Sequence, residues 1–232
     1  MAVEIKVFGD YACFSRPEFK VERVSYPLIT PSAARGILEA VFWKPEIRYQ
    51  IREIHVLRLG TQVSVLRNEI SDWQGAGPLV AQDSRQRQQR TSLVLRNVAY
   101  VIRSDIVLRE HTKDEIGKYL DCFNRRVKKG QCHHTPCLGT REFAASFEAP
   151  TPDERGGLAI NLDIGQMLFD MAFIEAPNGP GDLEFFKPGS SGQRRVKGRA
   201  ESLFFHACVI ESVLKVPADK YRELYRLEDG HA

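Results

Sequence analysis

The amino-acid sequence predicts an α+β fold. Two stretches space their apolar residues as a helix does, and several others alternate in steps of two. The last third is cut by Pro and Gly into short apolar runs. At 232 residues the chain suits one large domain or two small ones. With 43% hydrophobic and 27% charged residues, collagenous, disordered and low-complexity classes are excluded.

Val3, Ile5 and Val7 alternate with Glu4, Lys6 and Phe8, predicting a half-buried strand that Gly9-Asp10 breaks. Thr30-Pro31 reads as a helix start, with Thr as the cap and Pro at the first helical position, where no amide hydrogen is missed. Ala34, Ile37, Leu38 and Val41 make one apolar stripe, and Pro45 ends the helix. Gly36 inside it costs about 1 kcal/mol against Ala, so either a backbone packs closely there or the weakness is tolerated. Ile47, Tyr49 and Ile51 alternate, and Ile54 and Val56 resume one residue out of phase, which predicts a bulge near Arg52-Glu53. A strand over 62–67 and the loop SDWQGAGP follow, then a long strand from Leu93 to Leu108 broken near Asn97.

Thr112-Lys113-Asp114-Glu115 has the pattern of a capping box. Ile116, Leu120, Phe123 and Val127 continue at helical spacing, Lys128-Lys129 suit the negative end of the dipole, and Gly130 stops the helix. Gly139 to Phe147 reads as extended, and residues 151–232 as mostly β. The order β-α-β-β-α-β followed by hairpins predicts a ferredoxin-like (RRM-like) split βαβ domain over 1–149 and a small β-rich domain over 150–232.

No apolar run reaches the roughly 20 residues of a bilayer span, so no membrane partner is expected. Glu4 and Lys6 interrupt the first apolar stretch, unlike a secretory signal. Five scattered Cys argue against a disulfide framework, and the expected compartment is a reducing cytoplasm. The net charge is only +3, but the basic residues cluster. Phe123–Arg141 holds Arg125, Arg126, Lys128, Lys129 and Arg141 without an acid; Phe185–Arg199 holds Lys187, Arg194, Arg195, Lys197 and Arg199, also without one. A third cluster, QDSRQRQQR, carries Arg85, Arg87 and Arg90. Each alone could be a solvated loop; three together point to a surface that tracks phosphates.

Cys132-His133-His134-Thr135-Pro136-Cys137 offers zinc-type ligands, but crowds them into six residues instead of two spaced pairs, so no metal is expected there. Phosphate-binding glycine loops, a carboxylate cluster for two-metal chemistry and the paired aromatics of the RNA-recognition signature are all missing, and no cofactor is expected. The residues alone point to nucleic-acid binding and name no reaction.

Four blocks carry more: FGDYACF (8–14), SYPLITPSAARGILEAVFWKP (25–45), FNRRVKKGQCHHTPCLGTREF (123–143) and DIGQMLFDM (163–171). In this order they resemble the type I-C CRISPR-associated proteins of the fifth Cas family, in the repeat-associated mysterious protein superfamily. The resemblance implies a ferredoxin-like amino-terminal domain and a small β-rich carboxy-terminal one. It also implies a metal-independent endoribonuclease that cuts precursor CRISPR RNA at the repeat hairpin, the ribose 2′-OH attacking the adjacent phosphate. The product would be held by its 5′ handle within the type I-C interference complex. Implied partners are thus CRISPR repeat RNA and the other complex subunits, with duplex DNA as a further class.

The family's active site resembles a Tyr-Lys-His triad. Its Tyr aligns with Phe42, its Lys with Lys118 and its His with Tyr119. The catalytic candidates are therefore Lys118, as a cation for the phosphorane, and Tyr119, as a donor to the leaving oxygen. His133 and His134 are candidates for the missing base and, with Arg125, Arg126, Lys128, Lys129, Arg141, Arg194, Arg195 and Lys197, for RNA contact. Because Phe42 lacks a hydroxyl, a second reading stands beside the first: a guide-binding subunit that does not cut.

Overall fold

The structure, a computed structural model, describes residues 2–19, 22–70, 87–155, 159–176, 183–189 and 192–229. Seven strands of a ten-stranded, almost wholly antiparallel sheet run in the order β6-β1-β5-β3-β10-β9-β7, with β2, β4 and β8 paired off this path. They are β1 (Ala2–Ala12), β2 (Arg23–Val24), β3 (Ile47–Arg58), β4 (Thr61–Ile70), β5 (Arg87–Leu108), β6 (Ser146–Glu148), β7 (Leu162–Glu175), β8 (Leu183–Gly189), β9 (Gly192–Ile210) and β10 (Val213–Lys215). Three helices pack on it: α1 (Pro31–Val41), α2 (Ile116–Lys128) and α3 (Ala218–Asp229). None is long and apolar enough to cross a membrane.

In β1, Val3, Ile5 and Val7 are buried as the alternation requires. The strand does not break at Gly9-Asp10: it stays paired with β5 as far as Ala12↔Leu95. Gly9 serves packing instead, since a Cβ there would lie 2.6 Å from Leu138 Cδ1. Helix α1 begins as expected, with Thr30 Oγ1 accepting from the Ala33 amide at 3.2 Å and Pro31 in the first turn. Its buried face is Pro31, Ala34, Ile37, Leu38 and Val41. Nothing lies within 4 Å of where a Gly36 Cβ would stand, so that glycine is a tolerated weakness on an open face.

The bulge in β3 falls between Ile51 and Glu53, as the phase slip predicts. The 62–67 strand lies inside β4. Asn97 takes φ 62° without ending β5, which runs unbroken for 22 residues because β1, β3 and β4 all pair with it. The SDWQGAGP loop and Arg85 lie outside the described residues.

The capping box is not formed. Thr112 Oγ1 donates to the Glu46 carbonyl at 3.0 Å, and Glu115 takes the cap position with no side-chain cap bond. The buried stripe of α2 is Tyr119, Phe123 and Val127, with Ile116 and Leu120 half-buried. Its end is as predicted: Gly130, at φ 62°, donates to Val127 O and Gln131 donates to Arg126 O, a Schellman closure.

Residues 139–145 are turns rather than strand, and only Ser146–Glu148 joins the sheet. Gly139 explains why. At φ 88° it brings its backbone so close to β1 that a Cβ would sit 2.0 Å from Cys13 O. Gly139→Ala is therefore expected to destabilise the fold by about 2 kcal/mol or more, read as a lower urea midpoint at unchanged slope.

Within the mostly β remainder, α3 is a correction. Its Tyr221-Leu224-Tyr225 spacing is helical, but the stretch is short and otherwise polar. Phe169 packs edge-on against Tyr221 (4.8 Å between centroids) and Phe205 (6.2 Å), closing the core beneath α3. The Tyr221 hydroxyl accepts from Ile51 N at 2.6 Å and donates to Ile51 O at 3.3 Å, on the part of β3 that β10 leaves uncovered. On the same face Arg35 of α1 grips buried Asp170 of β7 through two bonds of 2.7 and 2.9 Å.

Candidate active site

The connection from α1 to β3 and the first half of α2 enclose an open cleft of about 590 Å³. Phe42, Lys44 and Glu46 line one side; Asp114, Lys118, Tyr119, Asp121, Cys122 and Arg125 line the other. The first side is fixed by bonds from distant parts of the chain. Tyr49 donates to Phe42 O at 2.6 Å, and Arg126 Nη1 donates to Val41 O at 2.8 Å with its guanidinium 5.3 Å from the Phe42 ring centroid. The Glu46 carbonyl accepts from Arg109 N at 2.8 Å as well as from Thr112.

The two catalytic candidates meet at one acid. Asp114 Oδ2 accepts from Lys118 Nζ at 2.8 Å and from the Tyr119 hydroxyl at 2.9 Å. Hydrogen bonds from Lys118 and then Tyr119 hold the Asp114 carboxyl below its usual range, and Asp114 in turn raises the Lys118 ammonium. Burial, and then the bond to Asp114, push Tyr119 up to about 12. Near neutral pH the cleft therefore presents a charged Lys118, an ionised Asp114 and a protonated Tyr119. Tyr119 therefore keeps its hydroxyl proton, which it shares with Asp114. The Tyr119 and Phe42 rings are neighbours, 6.5 Å between centroids, so the aligned positions do converge, although Phe42 brings no hydroxyl.

Two cleft residues escaped the sequence reading. Asp114 lies inside the Thr112–Glu115 pattern, which gives it no role of its own. Glu46 had no motif around it, yet its Oε2 is buried and has no hydrogen-bond partner among the described residues. A buried polar atom left without a partner is rare enough to mark Glu46 as a further candidate.

The expected RNA contacts separate into groups. Arg125 stands exposed at the cleft rim, and Lys128 and Lys129 are exposed beyond it at the helix end. Arg126 is used internally, as described above. His133 and His134 donate their amides to Ala40 O at 2.8 and 3.0 Å and line a separate, shallower cleft of about 420 Å³ with Gly36 and Trp43. They do not border the Lys118–Tyr119 cleft. Arg141 is exposed in a turn. Residues 185–189 and 192–199 lie in the paired strands β8 and β9, where Arg194 bonds Glu175 at 2.8 and 2.6 Å, Arg195 pairs with Glu184, and Lys197 is exposed. The Cys132–Cys137 segment turns its last thiol to Gly139 O at 3.7 Å.

These positions separate two effects of mutation. Replacing Arg125, Lys128 and Lys129 together with Ala is expected to flatten the log–log salt dependence of RNA binding by about 2 units if each meets a phosphate. Arg126→Ala is expected instead to lower thermal stability, because it strips the bond to Val41 O and exposes Phe42. A salt slope unchanged in the triple variant would place the three cations on a merely solvated face.

Residues 2–169 match the family described as CRISPR-associated protein (Cas_Cas5). The chain belongs to that family. This Cas5 chain is 59% identical over 230 residues to a CRISPR pre-crRNA endoribonuclease Cas5d of Thermus thermophilus, covering 99% of this chain and 97% of the relative. It is 42% identical over 193 residues to a protein of the same description from Mannheimia succiniciproducens, covering 74% and 85%. Two crystal structures share its fold. One is of a CRISPR-associated protein (TM-score 0.63, 21% identity, 95% and 93% coverage) and one of a functionally uncharacterized protein from Streptococcus mutans (TM-score 0.62, 18% identity, 95% and 94% coverage). Every residue that lines the Cas5 cleft falls inside the matched segment.

Proposed function

We propose that this chain cuts precursor CRISPR RNA at the repeat hairpin by attack of a ribose 2′-OH, without a metal ion, and then stays on the 5′ handle within the type I-C interference complex. The chain is an RNA-cleaving enzyme of crRNA processing, as its 59% identity to a pre-crRNA endoribonuclease over nearly the whole length supports. The observation that carries the mechanism is the convergence of Lys118 and Tyr119 on Asp114 in a cleft with a free carboxylate.

The roles follow from charge and proton state. Glu46 accepts the 2′-OH proton as the 2′-oxygen bonds to phosphorus. Lys118 stabilises the added negative charge of the phosphorane. Tyr119 gives its proton to the departing 5′-oxygen, leaving a 2′,3′-cyclic phosphate and a 5′-OH; water then returns the proton from Glu46 to Tyr119. Asp114 positions both partners. Three carboxylates line the cleft, but Asp114 is committed to Lys118 and Tyr119. The three do not bring their oxygens together as a ligand set, which supports a metal-free route.

The strand order β6-β1-β5-β3 with α1 and α2 as crossovers supports the ferredoxin-like reading of residues 1–149. That segment contains the whole cleft, and the same reading gives 150–232 a supporting role. Incubation of the purified protein with its own repeat RNA in excess EDTA tests the proposal: cleavage to a cyclic phosphate end is expected. Intact RNA left tightly bound under every condition would overturn it.

A further inference from the structure

A second cavity, of about 230 Å³, is lined by a different set of residues. Its walls include Arg48, Arg109, Phe185, Phe186, Lys187 and Asp229. The two sites share a backbone: Glu46 lines the cleft, its carbonyl is held by Arg109 N, and Arg48 follows two residues later.

Arg109 is out of balance with its surroundings. Its side chain makes no hydrogen bond or ion pair among the described residues, and its Nε is buried. Arg48, by contrast, is held by Asp229 at 3.0 and 3.1 Å and stacks over Tyr225 at 4.2 Å. Lys187 donates to Glu228 O at 2.7 Å and lies 3.8 Å from Glu175. Among the lining side chains three cations face two acids, Glu228 and Asp229, and the nearby Glu175 is shared between Lys187 and Arg194. Burial, and then the neighbouring Arg48 charge, lower the pKa of Arg109 against the opposing pull of Glu228 and Asp229, neither of which bonds it. Phe186 adds a second oddity: a large ring 65% exposed at the cavity wall, while Phe185 rests on Phe173 at 5.4 Å.

We propose that this cavity holds one unpaired nucleotide of the RNA, its base against Phe186 and its phosphate on Arg109. An exposed ring beside a lone cation is the pairing that binds single-stranded nucleic acid, where stacking tolerates any base and the guanidinium takes the phosphate. A small inorganic anion would use Arg109 and leave Phe186 without a purpose. The inference rests on the RNA-processing reading. It adds that the strand leaving the catalytic cleft passes residues 46–48 and is held there, so contacts outside the hairpin add affinity equally before and during the reaction.

The test compares the full repeat RNA with a version trimmed to its hairpin, using Phe186→Ala and Arg109→Met. Each variant is expected to bind the full repeat roughly tenfold more weakly and, in single-turnover cleavage, to need about tenfold more protein for half-maximal rate while the rate at saturation is unchanged. Neither should alter affinity for the trimmed hairpin. Arg109→Met should melt no lower than the wild type, since it removes an unpaired buried cation. A 2-aminopurine scan of the flanking nucleotides should find one position quenched by the wild type and not by Phe186→Ala. If both variants bind both RNAs as the wild type does, the cavity is no nucleotide site, although processing stands. If the wild type itself fails to bind the repeat, the processing reading falls and takes this one with it.

Discussion

A single 2′-deoxy nucleotide immediately 5′ of the scissile phosphate is expected to abolish cutting while leaving affinity almost unchanged. The ribose oxygen is the nucleophile in the proposed reaction, so its removal leaves nothing to attack phosphorus, whereas binding rests on phosphates and bases elsewhere. Gel analysis of end-labelled RNA measures the first effect and filter binding the second. Normal cutting of the deoxy RNA would overturn the mechanism and turn attention to an activated water.

Lys118→Ala is expected to slow single-turnover cleavage by about 100-fold or more, with a much smaller change in RNA affinity. Lys118 is mostly exposed, so the variant folds, and its Asp114 bond is a surface pair of little value to stability. Tyr119→Phe should also slow the chemical step. Its signature lies in pH: Tyr119 titrates only near 12, so the wild type loses no donor anywhere from neutral pH to about 11. Glu46→Gln should slow single-turnover cleavage while leaving RNA affinity almost unchanged. A Lys118→Ala rate equal to the wild type would leave Lys118 as an ordinary solvated helix residue paired to Asp114.

Local chemistry accounts for what could be read without coordinates. The Thr30-Pro31 start of α1, the bulge near Arg52-Glu53, the Gly130 stop of α2 and the alternation of β1 each depend on residues a few positions apart. The motif blocks located Phe42, Lys118 and Tyr119 as a group, and the structure brings them to one cleft.

Elsewhere a distant partner outcompeted the local one. Thr112 has the sequence of a cap, yet its hydroxyl goes to Glu46 O, 66 residues away, once β3 and β5 are paired. Arg126 sits in a basic run and reads as a phosphate contact, but Val41 O claims it from 85 residues off. Helix α3 has a weak apolar pattern and gains its place from Tyr221 on Ile51. The sequence by itself determined the caps, the turns, the face of α1 and the family blocks, because these follow from neighbours along the chain. Only the tertiary structure decided that Asp114 joins Lys118 to Tyr119, that Glu46 Oε2 is buried without a hydrogen-bond partner among the described residues, and that Arg109 makes no ion pair among them. Whether a polar group ends paired or orphaned depends on which strands close around it, and no spacing in the sequence carries that information.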